Sequence, residues 1–304
     1  MQQQNTVVRA LVALLFLSVI WGYNWIAIKL ALPFVDPFQL GAIRTFLGSI
    51  LLFIVLILLR KPVTPTEIPA TVVIGLLQTT GFTALSVWAL VSGGAGKVAV
   101  LVFVMPFWVM ILAWPMLGER IRGMQWLAVP LSLLGLLLIV APWSFHSNWL
   151  SNVLAVMAGI SWAIAVILAK KLHHRAPHMD LLAFTAWQML FGSLPLIVLA
   201  WSIPGKPILW SATFIWVIWY NIILVNGLGW LIWLYALQRL PAGIASMNSM
   251  LVPVIAVLAA WMQLGEVPNT SEALGMLLIV CALVMIALIG IKRHVPLDPA
   301  MGQD

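Results

Sequence analysis

Between residues 7 and 291 the chain is a succession of apolar runs, and the short gaps between them hold nearly all of its charge. A run of about 20 apolar residues crosses roughly 30 Å of hydrocarbon as a helix. The helix is imposed because it satisfies its own backbone hydrogen bonds where no water is present. Period-two alternation, the mark of a membrane β-barrel, is absent. Composition excludes a soluble fold: 8% of 304 residues are charged and 63% hydrophobic, against roughly 25% charged in soluble domains. The first run, 7–32, exceeds the roughly 7–15 residues of a signal-peptide core. It contains Trp21, Asn24, Trp25 and Lys29 and ends in no small-residue cleavage pattern, so it reads as a retained span. The fold class expected is an all-α membrane protein.

The punctuation locates the helices. Pro33 and Pro37, Pro62 and Pro65, Ser92-Gly93-Gly94, Pro204-Gly205 and Pro268 interrupt the runs. They place spans at 8–31, 38–59, 69–91, 97–117 and 124–142, then 149–170, 181–203, 210–237, 243–264 and 271–291. Ten transmembrane helices result, five in each half. With a cytoplasmic N-terminus, Arg9, Arg60, Lys61, Arg120, Arg122, Lys170, Lys171, Arg175, Arg239, Lys292 and Arg293 face the cytoplasm. Lys29, Lys97 and Lys206 face outward, and Arg44 lies inside a span. Eleven basic residues against three is the bias that orients membrane proteins. Both termini are expected in the cytoplasm, in a cell (inner) membrane.

One pattern is written twice. Ala95-Gly96, Pro106, Ala113, Trp114 and Leu117-Gly118-Glu119 recur 147 positions later as Ala242-Gly243, Pro253, Ala260, Trp261 and Leu264-Gly265-Glu266. Gly48-Ser49 matches Gly192-Ser193 at an offset of 144, which sets Arg44 against Gln188, and Trp21 aligns with Trp162. Thr79 aligns with Asn226. The units are 1–145 and 146–293, with a cytoplasmic tail at 294–304. Five spans per unit is an odd number, so the second copy enters the membrane inverted. Inverted repeats build secondary transporters, in which two pseudo-equivalent halves support two pseudo-mirror states around a midplane site.

Several of these features together carry a resemblance: the five-plus-five arrangement, Trp21-Gly22-Tyr23-Asn24 with Lys29, Pro37 leading to Arg44, and the doubled Pro…Gly-Glu. Over roughly residues 8–292 the chain resembles the drug/metabolite transporter superfamily, and within it the EamA-type exporters. The resemblance implies export of amino acids and related metabolites, or of drugs.

The absences narrow the chemistry. Asp36, Glu67, Glu119, Asp180, Glu266, Glu272, Asp298 and Asp304 all fall in loops or at span ends, as do His146, His173, His174, His178 and His294. A proton pump or cation exporter usually buries an acid or histidine at mid-membrane. An intramembrane enzyme needs a buried dyad or metal ligands, and an ATP-driven pump needs a P-loop. None is present, so no catalytic residue, metal or cofactor is assigned. A net charge of +7 sits in short loops rather than on a basic stripe, which argues against nucleic acid.

The candidate substrate-binding residues are Trp21, Asn24, Trp25, Arg44, Gln78, Trp162, Asn226, Trp230 and Asn248. Arg44 and Lys29 offer cations for a substrate carboxylate, or snorkel to the interface and hold helices by carbonyl bonds. Asn24, Gln78, Gln188, Asn221, Asn226 and Asn248 need partners in a dry medium, whether cargo or neighbouring helices. Trp21, Trp25, Trp88, Trp162, Trp187 and Trp230 lie deep enough to line a cavity or to face lipid. Trp126, Trp143, Trp149, Trp201 and Trp210 read as interface anchors. Pro106 and Pro253 interrupt equivalent spans and are candidate hinges. Glu119 and Glu266 read as residues that order span boundaries.

The expected cavity is lined by spans one, three, four, six, eight and nine. Spans five and ten, almost wholly aliphatic, read as peripheral supports or as a homodimer surface. The partners expected are a small-molecule substrate and the lipid bilayer. The leading function is secondary transport of small amphipathic metabolites out of the cell by alternating access. The alternatives are a nucleotide-sugar, sugar-phosphate or drug carrier of the same fold, or a membrane-embedded enzyme or assembly subunit acting on lipid-linked substrates.

Overall fold

A computed structural model describes residues 2–118, 123, 125–140, 149–203, 205–237 and 248–292, with side chains for all of these except 2–8, 11, 125, 237, 248–250 and 286–292. Among them lie ten helices and no strand. They are α1 (Gln2–Ala31), α2 (Pro37–Leu58), α3 (Ile68–Ser92), α4 (Ala95–Leu117), α5 (Gln125–Val140), α6 (Trp149–Arg175), α7 (Leu181–Ser202), α8 (Ala212–Ala236), α9 (Asn248–Leu264) and α10 (Thr270–Lys292). Seven of them, α1 to α4 and α6 to α8, are long and apolar enough to cross a membrane. Among the described residues the apolar stretches of the other three cover Trp126–Val140, Leu251–Leu264 and Thr270–Met285.

The ends follow local chemistry. Pro37 opens α2, where a missing N–H costs nothing. Ser211 caps α8 by accepting from the Phe214 N–H at 3.2 Å. The doubled Gly of the repeat is explained here. Gly118 ends α4 and Gly265 follows α9, each with a left-handed backbone (φ 71° and 67°) that glycine adopts without a Cβ clash.

Asp180 caps α7 through the Leu182 and Ala183 N–H groups, each at 2.9 Å, and pairs with Lys61 Nζ at 2.6 Å. Burial pushes its carboxyl up, but the Lys61 ammonium and the two N–H groups outweigh that and hold it below the usual carboxylate value. A carboxyl held low in the fold stabilises above about pH 4 and loses that contribution as pH falls through its folded value. Asp180→Ala is therefore expected to cost about 1 kcal/mol at neutral pH. The gap between the two melting curves should close below about pH 3. A gap that persists in acid would mean the cap does not depend on the charge.

Helix packing repeats itself between the halves. α2 packs on α7, α5 on α10 and α4 on α9, each an element against its own counterpart. The remaining large contacts come in exchanged pairs: α1 on α9 with α6 on α4, α1 on α8 with α6 on α3, and α2 on α8 with α7 on α3. Shifting every helix by five leaves this list unchanged, which is the signature of a pseudo-twofold axis. The residue contacts follow the same rule. A Cβ on Gly48 would meet Asn226, and a Cβ on Gly192 would meet Thr79. α5 and α10 cross where Gly135 and Gly275 face each other's carbonyls, and the pair packs onto the main core through Ala128, Ile139, Ile279 and Ala282.

Candidate functional site

α3 and α8 both lose α-helical register, and at equivalent places. Leu76–Gly81 in α3 and Tyr220–Leu228 in α8 are π-helical. A π segment inserts a residue into the turn and leaves carbonyls without their regular partner, and such segments recur at functional sites. In hydrocarbon those carbonyls need donors. Ser161 of α6 donates to the Leu77 carbonyl at 2.8 Å, and Trp21 Nε1 of α1 donates to the Val225 carbonyl at 3.3 Å. The helices that supply the donors are themselves counterparts.

Around these segments is a cavity of about 130 Å³. For scale, a cavity of roughly 150 Å³ takes up a benzene-sized molecule. Its walls are Trp21, Asn24, Trp25 and Ile28 of α1, Arg44 and Thr45 of α2, and Gln78, Thr79, Phe82, Thr83 and Ser86 of α3. Phe103 of α4, Trp162 of α6, Gln188 and Met189 of α7, and Val225, Asn226 and Trp230 of α8 complete it. The lining is itself duplicated. Trp21 and Trp162, Arg44 and Gln188, Thr45 and Met189, Gln78 and Val225, Thr79 and Asn226, and Thr83 and Trp230 are counterparts in the repeat, and both members of each pair reach the cavity. The cavity therefore lies on the pseudo-twofold axis.

Its apolar wall is a chain of aromatic contacts, edge-to-face at Phe103 and tilted between Trp162 and Phe82. Trp25 meets Phe103 at 6.5 Å, Phe103 meets Trp162 at 5.7 Å and Trp162 meets Phe82 at 5.2 Å between ring centroids. Trp21 and Trp230 stand 6.0 Å apart at 66°. Edge-to-face contacts of this kind stiffen a wall beyond what burial alone gives. The polar atoms are few. Arg44 is 6% exposed, and its Nε and Nη1 have no hydrogen-bond partner. The same holds for the acceptors Asn24 Oδ1 and Gln188 Oε1. Asn226 is held in place, its Nδ2 donating to the Arg44 carbonyl at 3.0 Å. No Asp, Glu or His lines the cavity among the described residues.

Eight of the nine residues nominated from the sequence, Trp21, Asn24, Trp25, Arg44, Gln78, Trp162, Asn226 and Trp230, are brought to this one cavity. The side chain of Asn248 lies outside the described residues. Others part company. Trp88 is 44% exposed and packs on Phe38, while Trp187 packs on Phe53 and donates to the Val63 carbonyl at 2.6 Å. Asn221 is buried and turns its Nδ2 back to the Val217 carbonyl at 3.0 Å. Sequence reading omitted α2 and α7 from the lining, though both contribute side chains. It also passed over Thr45, Thr83 and Ser86, while Thr79, noted as the counterpart of Asn226, does reach the cavity.

Lys29 is a helix-end residue. Its Nζ donates to the carbonyls of Leu90 and Gly93, each at 2.6 Å, at the C-terminus of α3. Nearby, the Glu266 carboxylate accepts from the Ala95 and Gly96 N–H groups at 3.0 and 3.2 Å, at the N-terminus of α4. The end of the second copy of the motif is thus bonded to the start of the first. Glu119, with Ala242 and Gly243, lies outside the described residues. The candidate hinges differ in structure: α4 breaks at Phe103–Val104 and resumes with Pro106 in its first turn, whereas Pro253 sits inside the helical run of α9.

The profile of the EamA-like transporter family matches residues 8–141 and again 149–288. The chain belongs to the EamA-like transporter family. Apolar helices of spanning length and this membership together make it a multi-pass membrane protein of a transporter family. It is similar to the uncharacterized transporter YoaV of Bacillus subtilis, 27% identical over 91% of this chain and 96% of that protein. It is also similar to a probable amino-acid metabolite efflux pump of Salmonella typhimurium, 25% identical over 88% of this chain and 91% of that one. A crystal structure at 16% identity superposes with a TM-score of 0.66 over 95% of this chain and 99% of its own, which shows that this EamA-like chain shares that protein's fold.

Proposed function

We propose that this protein is a secondary transporter that exports small amphipathic metabolites, amino acids or their relatives, by alternating access. The observation that carries the reading is the cavity on the pseudo-twofold axis, with counterpart residues from both halves in its wall. Exchanging the conformations of two pseudo-equivalent halves carries a site on their axis from one face of the membrane to the other. The name of the Salmonella relative supports amino-acid cargo and the outward direction. In this reading the halves are 1–145 and 146–293 with the tail at 294–304. All ten helices span the inner membrane, and both termini are cytoplasmic. Pro106 and Pro253 serve as its hinges.

Among the described residues the cavity wall has no carboxylate to act as an acidic relay beside the cargo, so facilitated diffusion or exchange is expected over proton antiport through a cavity acid. One cationic side chain in the wall makes a poor home for the multiple charges of a nucleotide sugar or sugar phosphate.

The test is counterflow in proteoliposomes across amino acids, nucleotide sugars and quaternary amines. Accumulation of amino acids without an imposed proton gradient is the expected result. Uptake that requires the gradient and vanishes on replacing one acidic residue would overturn the coupling. Accumulation of nucleotide sugars alone would overturn the cargo.

A further inference from the structure

Arg44 and Gln188 occupy the same position in the two halves, and both reach the cavity. Their chemistry is opposed. Arg44 presents a guanidinium with two buried donors unmet, and Gln188 presents an unmet carbonyl oxygen, as does Asn24. Among the described residues Arg44 belongs to no ion pair. Its backbone carbonyl is taken by Asn226, so the helix that carries it is fixed while its charged end faces the cavity. A buried cation without a counter-charge is costly unless something neutralises it, and every other polar atom of the wall is uncharged.

We propose that Arg44 is the receptor for a carboxylate on the cargo, and that Gln188 Oε1 and Asn24 Oδ1 receive the cargo's hydrogen-bond donors. The proposal rests on the transporter reading above and adds to it a required functional group and a single polarity. The cargo's anionic end lies toward Arg44 of α2 and its donor end toward Gln188 of α7, with Asn24 of α1 as a second acceptor. An ammonium at that end is further favoured by the faces of Trp21 and Trp25. A carboxylate suits the site better than a phosphate monoester. One charge meets one guanidinium, whereas a dianion would leave a net negative charge buried. Among the described residues of the wall this is the one counterpart pair that differs in charge, and that break in the pseudo-symmetry is what selects the cargo.

The experiment uses the full-length protein in detergent, with its own tryptophan fluorescence as the readout. The probes are L-leucine and L-phenylalanine, each with its carboxamide, its decarboxylated amine and its deaminated acid, together with phenyl phosphate. The amino acids and deaminated acids should bind about tenfold or more tighter than the amides and amines. Affinity of the deaminated acids should fall as pH drops through their own carboxyl range. Arg44→Gln should erase the preference for acids, and Arg44→Lys should keep part of it. Gln188→Leu should weaken the amino acids and leave the deaminated acids unchanged.

Amides that bind as tightly as acids, phenyl phosphate that binds tightest, or an acid preference that survives Arg44→Gln would each overturn the assignment. The pH response of the wild-type protein decides the case should Arg44→Gln fail to fold. Counterflow of amides together with acids would leave the transporter reading standing and the Arg44 assignment refuted. Counterflow of no probe would count against both.

Discussion

Replacing Arg44 with methionine is expected to raise the melting temperature of the cargo-free protein while it abolishes carboxylate recognition. Activity and stability move in opposite directions because the guanidinium stabilises nothing inside the protein. Its Nε and Nη1 are buried and unpartnered, and no carboxylate pairs with it among the described residues. Each buried polar group left unmet costs about 1–3 kcal/mol. An apolar side chain of similar length removes that cost and keeps the packing. The bond from Asn226 Nδ2 goes to the backbone carbonyl of residue 44 and survives the change. The competing view, an arginine that holds helices together, makes the opposite prediction: a lower melting temperature with and without cargo. Thermal melts of wild type and Arg44→Met in detergent, each with and without L-leucine, separate the two. Cargo should stabilise the wild type alone. A variant that melts below the cargo-free wild type would return Arg44 to a structural role.

Much of the helix layout is legible in the sequence, because hydrophobic length and Pro/Gly punctuation act locally. Where an end lies among the described residues, the helices begin and end within a few residues of the expected bounds, apart from an α1 that extends back to Gln2 and an α6 that runs on to Arg175. The duplicated motif carries the pairing of counterparts, and polar residues deep in apolar runs mark much of the cavity. What stays hidden depends on one-residue shifts and on self-bonding side chains. The π segments of α3 and α8 carry no mark of their own, since one extra residue in a turn leaves apolar content unchanged. Thr45 and Ser86 look indifferent because a hydroxyl in a span can bond its own helix. Thr45 does so with the Gly41 carbonyl at 2.8 Å, and Ser86 with the Thr83 carbonyl at 3.2 Å. Trp88 and Trp187 were as deep in sequence as Trp21, but depth does not give the helix face, and that is set by what the helix packs against.

The second large effect is expected where α3 crosses α7. Gly75→Ala and Gly192→Ala should each cost about 3 kcal/mol or more. A Cβ on Gly75 would fall within 3.0 Å of the Gln188 carbonyl oxygen, and one on Gly192 within 3.0 Å of the Gly75 carbonyl oxygen. Both obstacles are backbone atoms, so no rotamer change relieves them and the helices must move apart. Thr80 Oγ1 also donates to the Gly192 carbonyl at 2.5 Å, a bond that separation would break. Two further positions bear on the cause. At Gly48, the position equivalent to Gly192, the atom nearest an added Cβ is the Asn226 Cβ at 2.8 Å, which side-chain rotation does not move, so α2 and α8 must also give way there. Gly48→Ala should therefore cost about 1–3 kcal/mol. At Gly118 no atom lies within 4 Å, and the left-handed φ of 71° is the whole penalty, roughly 1–2 kcal/mol. Folded yield and melting temperature should rank Gly75→Ala and Gly192→Ala below Gly118→Ala. Equal losses at Gly75 and Gly118 would mean that backbone conformation, rather than the closeness of α3 and α7, sets the demand for glycine. The outcome bears on the site as well, because that crossing holds Gln78 and Thr79 against Gln188. A helix pair forced apart there should lose carboxylate selectivity before it loses membrane insertion.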